Sequence, residues 1–187
     1  MKKILLILAQ DYQSLSAELM NRYKVKATSA GNEVKEIRLL DLKFDPILRG
    51  GYRSEQALES DLVNSQADIL WADELVFFFP LWWYAVPAIL KGFMDRVLRS
   101  GFAFKYNKGK SLPEKLLVGK SAKIVVLSGG PAWFYTVSGN PAINMMSASL
   151  KFCGFSPVKS LQIGGVSKKL DDKKISQIFG RIDAFIK

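Results

Sequence analysis

Four short apolar runs stand out along the chain. Ile4–Ala9, Leu75–Phe79, Lys123–Leu127 and Val158–Gly164 are such runs, each bounded by polar or turn residues. Val34–Leu40 is a weaker fifth, with charges interleaved. A run without alternation predicts a strand buried on both faces, as in a parallel sheet covered by helices. Helical periodicity fills the intervals. It runs from Ser16 to about Ala30, closed by Gly31, and again from Glu55 to Ala72. In the third segment Val86, Ile89, Leu90, Phe93, Met94, Val97 and Leu98 mark one face, with Pro87 near the first turn and Gly101 past the end. A fourth helix runs from Asn140 to about Phe152, with Asn140 as its cap, Pro141 at its first position and Gly154 as its stop. The last runs from Asp171 to Ile186, with Asp171-Asp172 at the positive end of its dipole.

Strand and helix therefore alternate along the whole chain, with no repeat and no linker. The pattern predicts one α/β domain over residues 1–187, a three-layer sandwich around a five-stranded parallel sheet of order 2-1-3-4-5. In that order ligands bind outside the carboxyl ends of strands 1, 3 and 4, where the winding reverses. The rule selects Ala9–Ser16, Pro80–Tyr84 and Ser128–Tyr135 before any motif is considered. Ser100–Lys120 is an extra connection before the fourth strand.

Composition narrows the chemistry. With 49% hydrophobic and 24% charged residues in 187, the chain can bury a full core. The single cysteine, Cys153, excludes an intrachain disulfide and reads as a small core residue. The absence of histidine removes the commonest metal ligand, the Ser-His-Asp triad and the Cys-His dyad. No metal site is expected, and the chemistry falls to a cofactor, carboxylates, or hydroxyl and backbone groups. The net charge of +10 arises after residue 100, because the first hundred residues are balanced. That excess fits either an anionic partner or a solvated basic face. The mixed-sign stretch 168–174 reads as a loop into the last helix. Ile4–Ala9 is shorter than a signal-peptide core and is followed at once by Gln10-Asp11. Leu75–Leu90, the longest uncharged stretch, is too short to span a bilayer and is cut by Pro80 and Pro87. A soluble cytoplasmic protein is expected.

Each selected loop carries suggestive residues. The first, Gln10–Ser16, has no glycine and is neither a P-loop nor a dinucleotide fingerprint. Ser14 and Ser16 stand where a helix begins, a place suited to phosphate and equally to an ordinary cap. The second, Phe79–Pro87, sets Trp82, Trp83 and Tyr84 side by side between prolines. These either wall a planar ligand or pack the next helix, although three consecutive side chains cannot all face one core. The third, Ser128–Tyr135, joins a Gly129-Gly130 pair, able to let backbone approach a ligand, to Trp133, Phe134 and Tyr135. Phosphate donors and planar walls in one crevice describe a flavin nucleotide better than ATP, since the first loop lacks a Lys-Ser/Thr pair.

The segment Pro80-Leu81-Trp82-Trp83-Tyr84-Ala85-Val86-Pro87-Ala88-Ile89-Leu90-Lys91-Gly92-Phe93-Met94-Asp95-Arg96-Val97 closely resembles the signature of flavodoxin-like NAD(P)H:quinone oxidoreductases. Gly101–Tyr106 resembles the segment that follows it in that family, and Ser128-Gly129-Gly130 resembles its glycine turn. The resemblance implies a flavodoxin-like fold and a homodimer whose two sites draw on both subunits. It implies FAD, or FMN, held by Gln10, Ser14, Leu15 and Ser16 at the phosphates. Pro80, Leu81, Trp82, Trp83 and Tyr84 would lie along the ring, with Ser128, Gly129, Gly130 and Tyr135 at its pyrimidine end. Phe104, Tyr106 and Trp133 would line the substrate space, the first two in the other subunit's pocket.

The implied reaction is ping-pong: NAD(P)H passes hydride to flavin N5, and a quinone or similar planar acceptor collects it. Tyr135 is the implied catalytic residue. The sequence departs from the family at two points: Pro141 occupies the position of a histidine, and Gln10-Asp11 replaces a His-Pro pair in a shorter first loop. Azo- or nitroaromatic reduction is an acceptor variant of the same reading. A regulatory subunit of a membrane potassium-efflux system is the competing one, with peripheral membrane contact at most. A flavodoxin-type electron carrier fits less well, because such carriers are acidic. No nucleic-acid partner is expected.

Overall fold

The computed structural model describes residues 1–51, 56–166 and 170–186. Five parallel strands form the central sheet: β1 (Lys3–Leu8), β2 (Glu33–Arg38), β3 (Glu74–Pro80), β6 (Ser121–Leu127) and β7 (Val158–Ile163). Their order is β2-β1-β3-β6-β7, the predicted 2-1-3-4-5. The helices are α1 (Leu15–Ser29), α2 (Ser60–Trp71), α3 (Ala88–Val97), α4 (Ala132–Val137), α5 (Pro141–Cys153) and α6 (Asp172–Ile186). A two-stranded hairpin, β4 (Phe104–Lys105) with β5 (Glu114–Lys115), fills part of the extra connection.

The unbroken apolar strands conceal a period of two. Leu5 and Ile7 of β1, Phe77 and Phe79 of β3, and Ile124 and Val126 of β6 point to the face covered by α2, α3 and α5. Leu6, Leu8, Val76, Phe78, Val125 and Leu127 point to the face covered by α1 and α6. Both faces are dry, so hydropathy alone shows no alternation. β2 and β7 are the sheet edges, where only Ile37 and only Ile163 respectively are buried; this accounts for their interleaved polar residues and corrects the expectation that Val158–Gly164 is buried on both faces. Among the described residues, no helix is long and apolar enough to cross a membrane.

The structure corrects several boundaries. α2 starts at Ser60; Gln56–Glu59 are not helical, and Glu55 lies outside the described residues. Arg99 takes the Gln56 carbonyl, and Arg96 takes the Ala57 carbonyl and the Glu59 carboxylate. Those tertiary bonds hold the segment out of the helix that its periodicity allows. Asn140 does stand at the N-cap of α5, but in a left-handed conformation, and its side chain caps nothing. Gly154 ends α5 as expected, with φ 118° and its N–H on the carbonyls of Leu150 and Lys151. A Cβ there would also lie 2.8 Å from Val118 N, so glycine is required twice over. Trp133, Phe134 and Tyr135 lie on the short helix α4.

Candidate active site

β1, β3 and β6 are neighbours, so the loops at their carboxyl ends meet at one edge of the sheet. There they enclose a cleft of about 1050 Å³. Gln10, Ser14 and Leu15 line it from the first loop, Pro80, Leu81 and Trp82 from the second, and Ser128 and Gly129 from the third. The sequence reading therefore located the cleft. Tyr12, also in the first selected segment, lines it too, and the cleft reaches residues that the rule did not select: Glu18 and Asn21 on α1, and Val166, Leu170 and Ile175 near the start of α6. Glu18 and Asn21 follow Ser14 and Leu15 on the outer face of α1, a spacing the helical period makes readable. Val166, Leu170 and Ile175 enter because β7 lies beside β6, which adds a fourth strand end to the three expected.

The first loop is built around the start of α1. Ser14 is the N-cap: its Oγ accepts from Ala17 N–H at 3.2 Å and donates to the Asp11 carbonyl at 2.6 Å. The Asp11 carboxylate accepts from Gln13 N–H at 2.8 Å. Ser16 is buried, and its Oγ donates to Gln10 Oε1 at 2.6 Å. Its hydroxyl thus orients the Gln10 amide. Among the described residues, the N–H groups of Leu15 and Ser16 find no acceptor, as expected of a helix start. Tyr12 donates its phenol to Asp41, and the Arg38 guanidinium lies 4.6 Å from its ring centre. The hydrogen bond to Asp41 raises the Tyr12 pKa and pins the loop to the end of β2.

The second loop is a tight two-residue turn. Trp82 and Ala85 exchange both backbone hydrogen bonds, Trp82 N–H to Ala85 O at 3.2 Å and the reverse at 2.9 Å. Trp83 (φ 50°) and Tyr84 (φ 60°) between them are both left-handed. Such turns favour Asn-Gly, and bulky aromatic residues there are strained by about 1–2 kcal/mol each. Trp83 is 97% exposed, whereas the Tyr84 ring lies edge-on to Tyr135, centres 5.7 Å apart. The N–H groups of Trp83 and Tyr84 have no acceptor among the described residues.

The third loop leaves the N–H groups of Gly129 and Gly130 equally unused. Ser128 Oγ closes the turn by donating to Gly130 O at 3.1 Å, and Gly165 N–H donates to the same carbonyl at 2.8 Å. The Tyr135 phenol lies where a side chain on residue 130 would project, 3.0 Å from that Cβ position.

Trp83, Tyr84, Gly130 and Tyr135 do not line the cleft itself; they adjoin it through Trp82 and Gly129. Trp133 packs edge-on to Phe134 and is largely exposed. Phe104 and Tyr106 lie in a second cavity of about 1040 Å³, with Met94, Leu98, Met145 and Phe152. They do not reach the cleft of their own chain. Cys153 also borders this cavity, but it is buried, and desolvation pushes its thiol up to about 11.

Residues 2–186 match the flavodoxin-like fold family. The ribosyldihydronicotinamide dehydrogenase [quinone] of Pongo abelii is 33% identical over 188 residues, which cover 82% of this chain and 78% of that protein. NAD(P)H dehydrogenase [quinone] 1 of Cavia porcellus is 29% identical over 211 residues, covering 96% of this chain and 74% of that protein. The crystal structure of Smu.1420 from Streptococcus mutans UA159 matches with a TM-score of 0.85 at 29% identity and covers 98% of each chain. Family match, relatives and cleft agree: the chain belongs to the flavodoxin-like fold family and is an oxidoreductase.

Proposed function

We propose that the protein is a flavin-dependent NAD(P)H:quinone oxidoreductase working by a ping-pong mechanism. One observation carries the reading. Among the described residues, the backbone N–H groups of Leu15, Ser16, Trp83, Tyr84, Gly129 and Gly130 are among those left without acceptors at three adjacent strand ends. Donors gathered at one edge of the cleft and unused within the described residues suit an acceptor-rich ligand. Leu15 and Ser16 at the start of α1 suit phosphate, where the helix dipole adds to the hydrogen bonds. The other four suit the polar edge of a ring, with Leu81 and Trp82 against its apolar part. The donor set therefore fits a flavin nucleotide. The cleft continues past the first loop along Glu18 and Asn21 to Leu170 and Ile175, which favours FAD over the shorter FMN.

A bound flavin accepts two electrons and a hydrogen from a nicotinamide and returns them to a quinone. The chain's own work is to bind, orient and stabilise. Trp82 and the Leu81 side chain set the plane of the ring. The N–H groups of Gly129 and Gly130, with the Tyr135 phenol beside them, offer donors where negative charge grows during reduction. Nicotinamide and quinone occupy the same open space in turn, as ping-pong kinetics require. The chain pairs with a second copy, which buries the apolar cavity around Phe104, Tyr106 and Phe152 and completes each site.

The purified protein is expected to release FAD on denaturation, identified by its mass. Without oxygen, NADH or NADPH bleaches the flavin band and a quinone restores it. Sedimentation gives twice the chain mass. A protein that takes up flavin but is reduced by neither nucleotide overturns the reading.

A further inference from the structure

Tyr84 is the unexplained member of the second loop. Its neighbour Trp83 projects into solvent, yet Tyr84 turns back across the turn and meets Tyr135 on a different element, ring centres 5.7 Å apart and planes at 63°. Tyr84 stands in the left-handed region, which a residue of its size seldom occupies. Persistent strain of this kind marks a place where conformation serves function. Tyr135 belongs to α4, a helix of two turns with no buried residue of its own. Its ring has few anchors: Phe134 beside it on the same helix, the open side of Gly130, and Tyr84. Neither phenol makes a hydrogen bond among the described residues. A phenol that is to donate to a ligand at the Gly129-Gly130 turn must be held by ring contacts alone.

We propose that Tyr84 is a positioning residue. The left-handed Trp83-Tyr84 turn presses its ring against Tyr135 and so fixes the Tyr135 hydroxyl beside Gly130. Phenol O–H and the free N–H groups of Gly129 and Gly130 then form a three-donor corner for a ring that becomes more negative on reduction. A hydride brings two electrons and one hydrogen nucleus, so its acceptor gains one negative charge. The phenol stabilises that charge by a hydrogen bond and keeps its own proton. The inference rests on the flavin reading of the cleft. It assigns the Tyr84 side chain a task carried by its ring edge, with no part for its hydroxyl.

The test compares the wild type with Y84F, Y84G, Y135F and Y84G/Y135F, each loaded with FAD. Glycine removes the ring while suiting the turn, so Y84G keeps the loop conformation. The readouts are the dissociation constant of oxidised FAD and the two-electron midpoint potential of the bound cofactor. Y135F and Y84G are each expected to weaken binding of the reduced form relative to the oxidised form about tenfold, a midpoint about 30 mV more negative. Y84F stays within twofold of the wild type. The double variant loses no more than either single one, because both remove the same donor. An unchanged midpoint in Y84G, a Y84F shift as large as that of Y84G, or losses that multiply in the double variant overturns the proposal alone. A wild type that takes up no flavin overturns it together with the reading beneath it.

Discussion

Arg96 and Glu59, 37 positions apart, form a 2.8 Å salt bridge in which the guanidinium has no exposure to solvent and the carboxylate keeps one edge in water. The same guanidinium donates to the Ala57 carbonyl at 2.7 Å and to the Asp45 carbonyl. Burial acts to raise the Glu59 pKa, but the backbone hydrogen bonds of Asp45 and Glu59 and the Arg96 contact bring it below the usual range. Arg96 thus ties both ends of the segment 45–59 to α3. This segment also supplies Leu48 and Gly51 to the second cavity.

Arg96→Met is expected to destabilise the fold by about 3 kcal/mol, since it strands two carbonyls and a carboxylate together. Urea unfolding followed by circular dichroism measures it. Arg96→Lys should recover less than half, because an ammonium cannot span the three acceptors in one plane. Full recovery by lysine would show that charge alone matters.

Gly164, just past β7, approaches the start of α4 so closely that a Cβ would collide with Ala132 N. Both partners are backbone, so neither can yield by changing rotamer. Gly164→Ala should cost about 1–3 kcal/mol and should push α4, with Tyr135, away from the Gly129-Gly130 turn. FAD retention on gel filtration is expected to fall with stability. A variant destabilised to this extent but retaining FAD fully would separate α4 from the binding site.

Trp83 carries left-handed strain with almost its whole side chain in water. Trp83→Asn should therefore stabilise the isolated protein by about 1 kcal/mol, read as a higher melting temperature. A melting temperature lower than that of the wild type would show that the indole packs against something, a second copy of the chain above all.

Asp183 holds α6 to α1. Its carboxylate accepts from Arg22 Nε and Nη2, both at 2.7 Å, and pairs with Lys26 at 2.9 Å. The Arg22 hydrogen bond, with that of Lys26, lowers its pKa to about 2. The folded value lies below the unfolded one of about 3.9. The stabilisation is therefore complete above that pH and is lost as pH falls toward 2. Melting curves of wild type and Asp183→Asn should differ most above pH 5 and converge near pH 2. A gap that stays constant across this range would assign the contact no protonation linkage.

The sheet was legible because β1, β3 and β6 bury both faces and leave apolar runs that no exposed segment would carry. Strand alternation with helices then named the cleft edge before any motif did. The start of α2 was not legible: Gln56–Glu59 have helical periodicity, and only distant arginines draw their carbonyls elsewhere. Asn140 takes the N-cap position that its residue type predicts, but its backbone is left-handed and its side chain makes no capping bond. Ser16 read as a phosphate donor, yet its hydroxyl is turned inward to Gln10. Phe104 and Tyr106 read as substrate-space residues of the other subunit's pocket; in their own chain they line a cavity apart from the cleft.

By itself the sequence determined the fold class and the three loops at the cleft edge, because hydropathy period and residue chemistry are local properties. The absence of histidine also leaves backbone N–H groups, hydroxyls and phenols as the candidates for polar work at those loops. Which groups are free to do it was decided only by the tertiary structure. A backbone N–H is identical in every residue, and whether it is spent on a neighbour depends on distant partners. The strained turn at Trp83-Tyr84 and the ring contact that joins it to Tyr135 belong to the same class, since they exist only once β3 and β6 lie side by side.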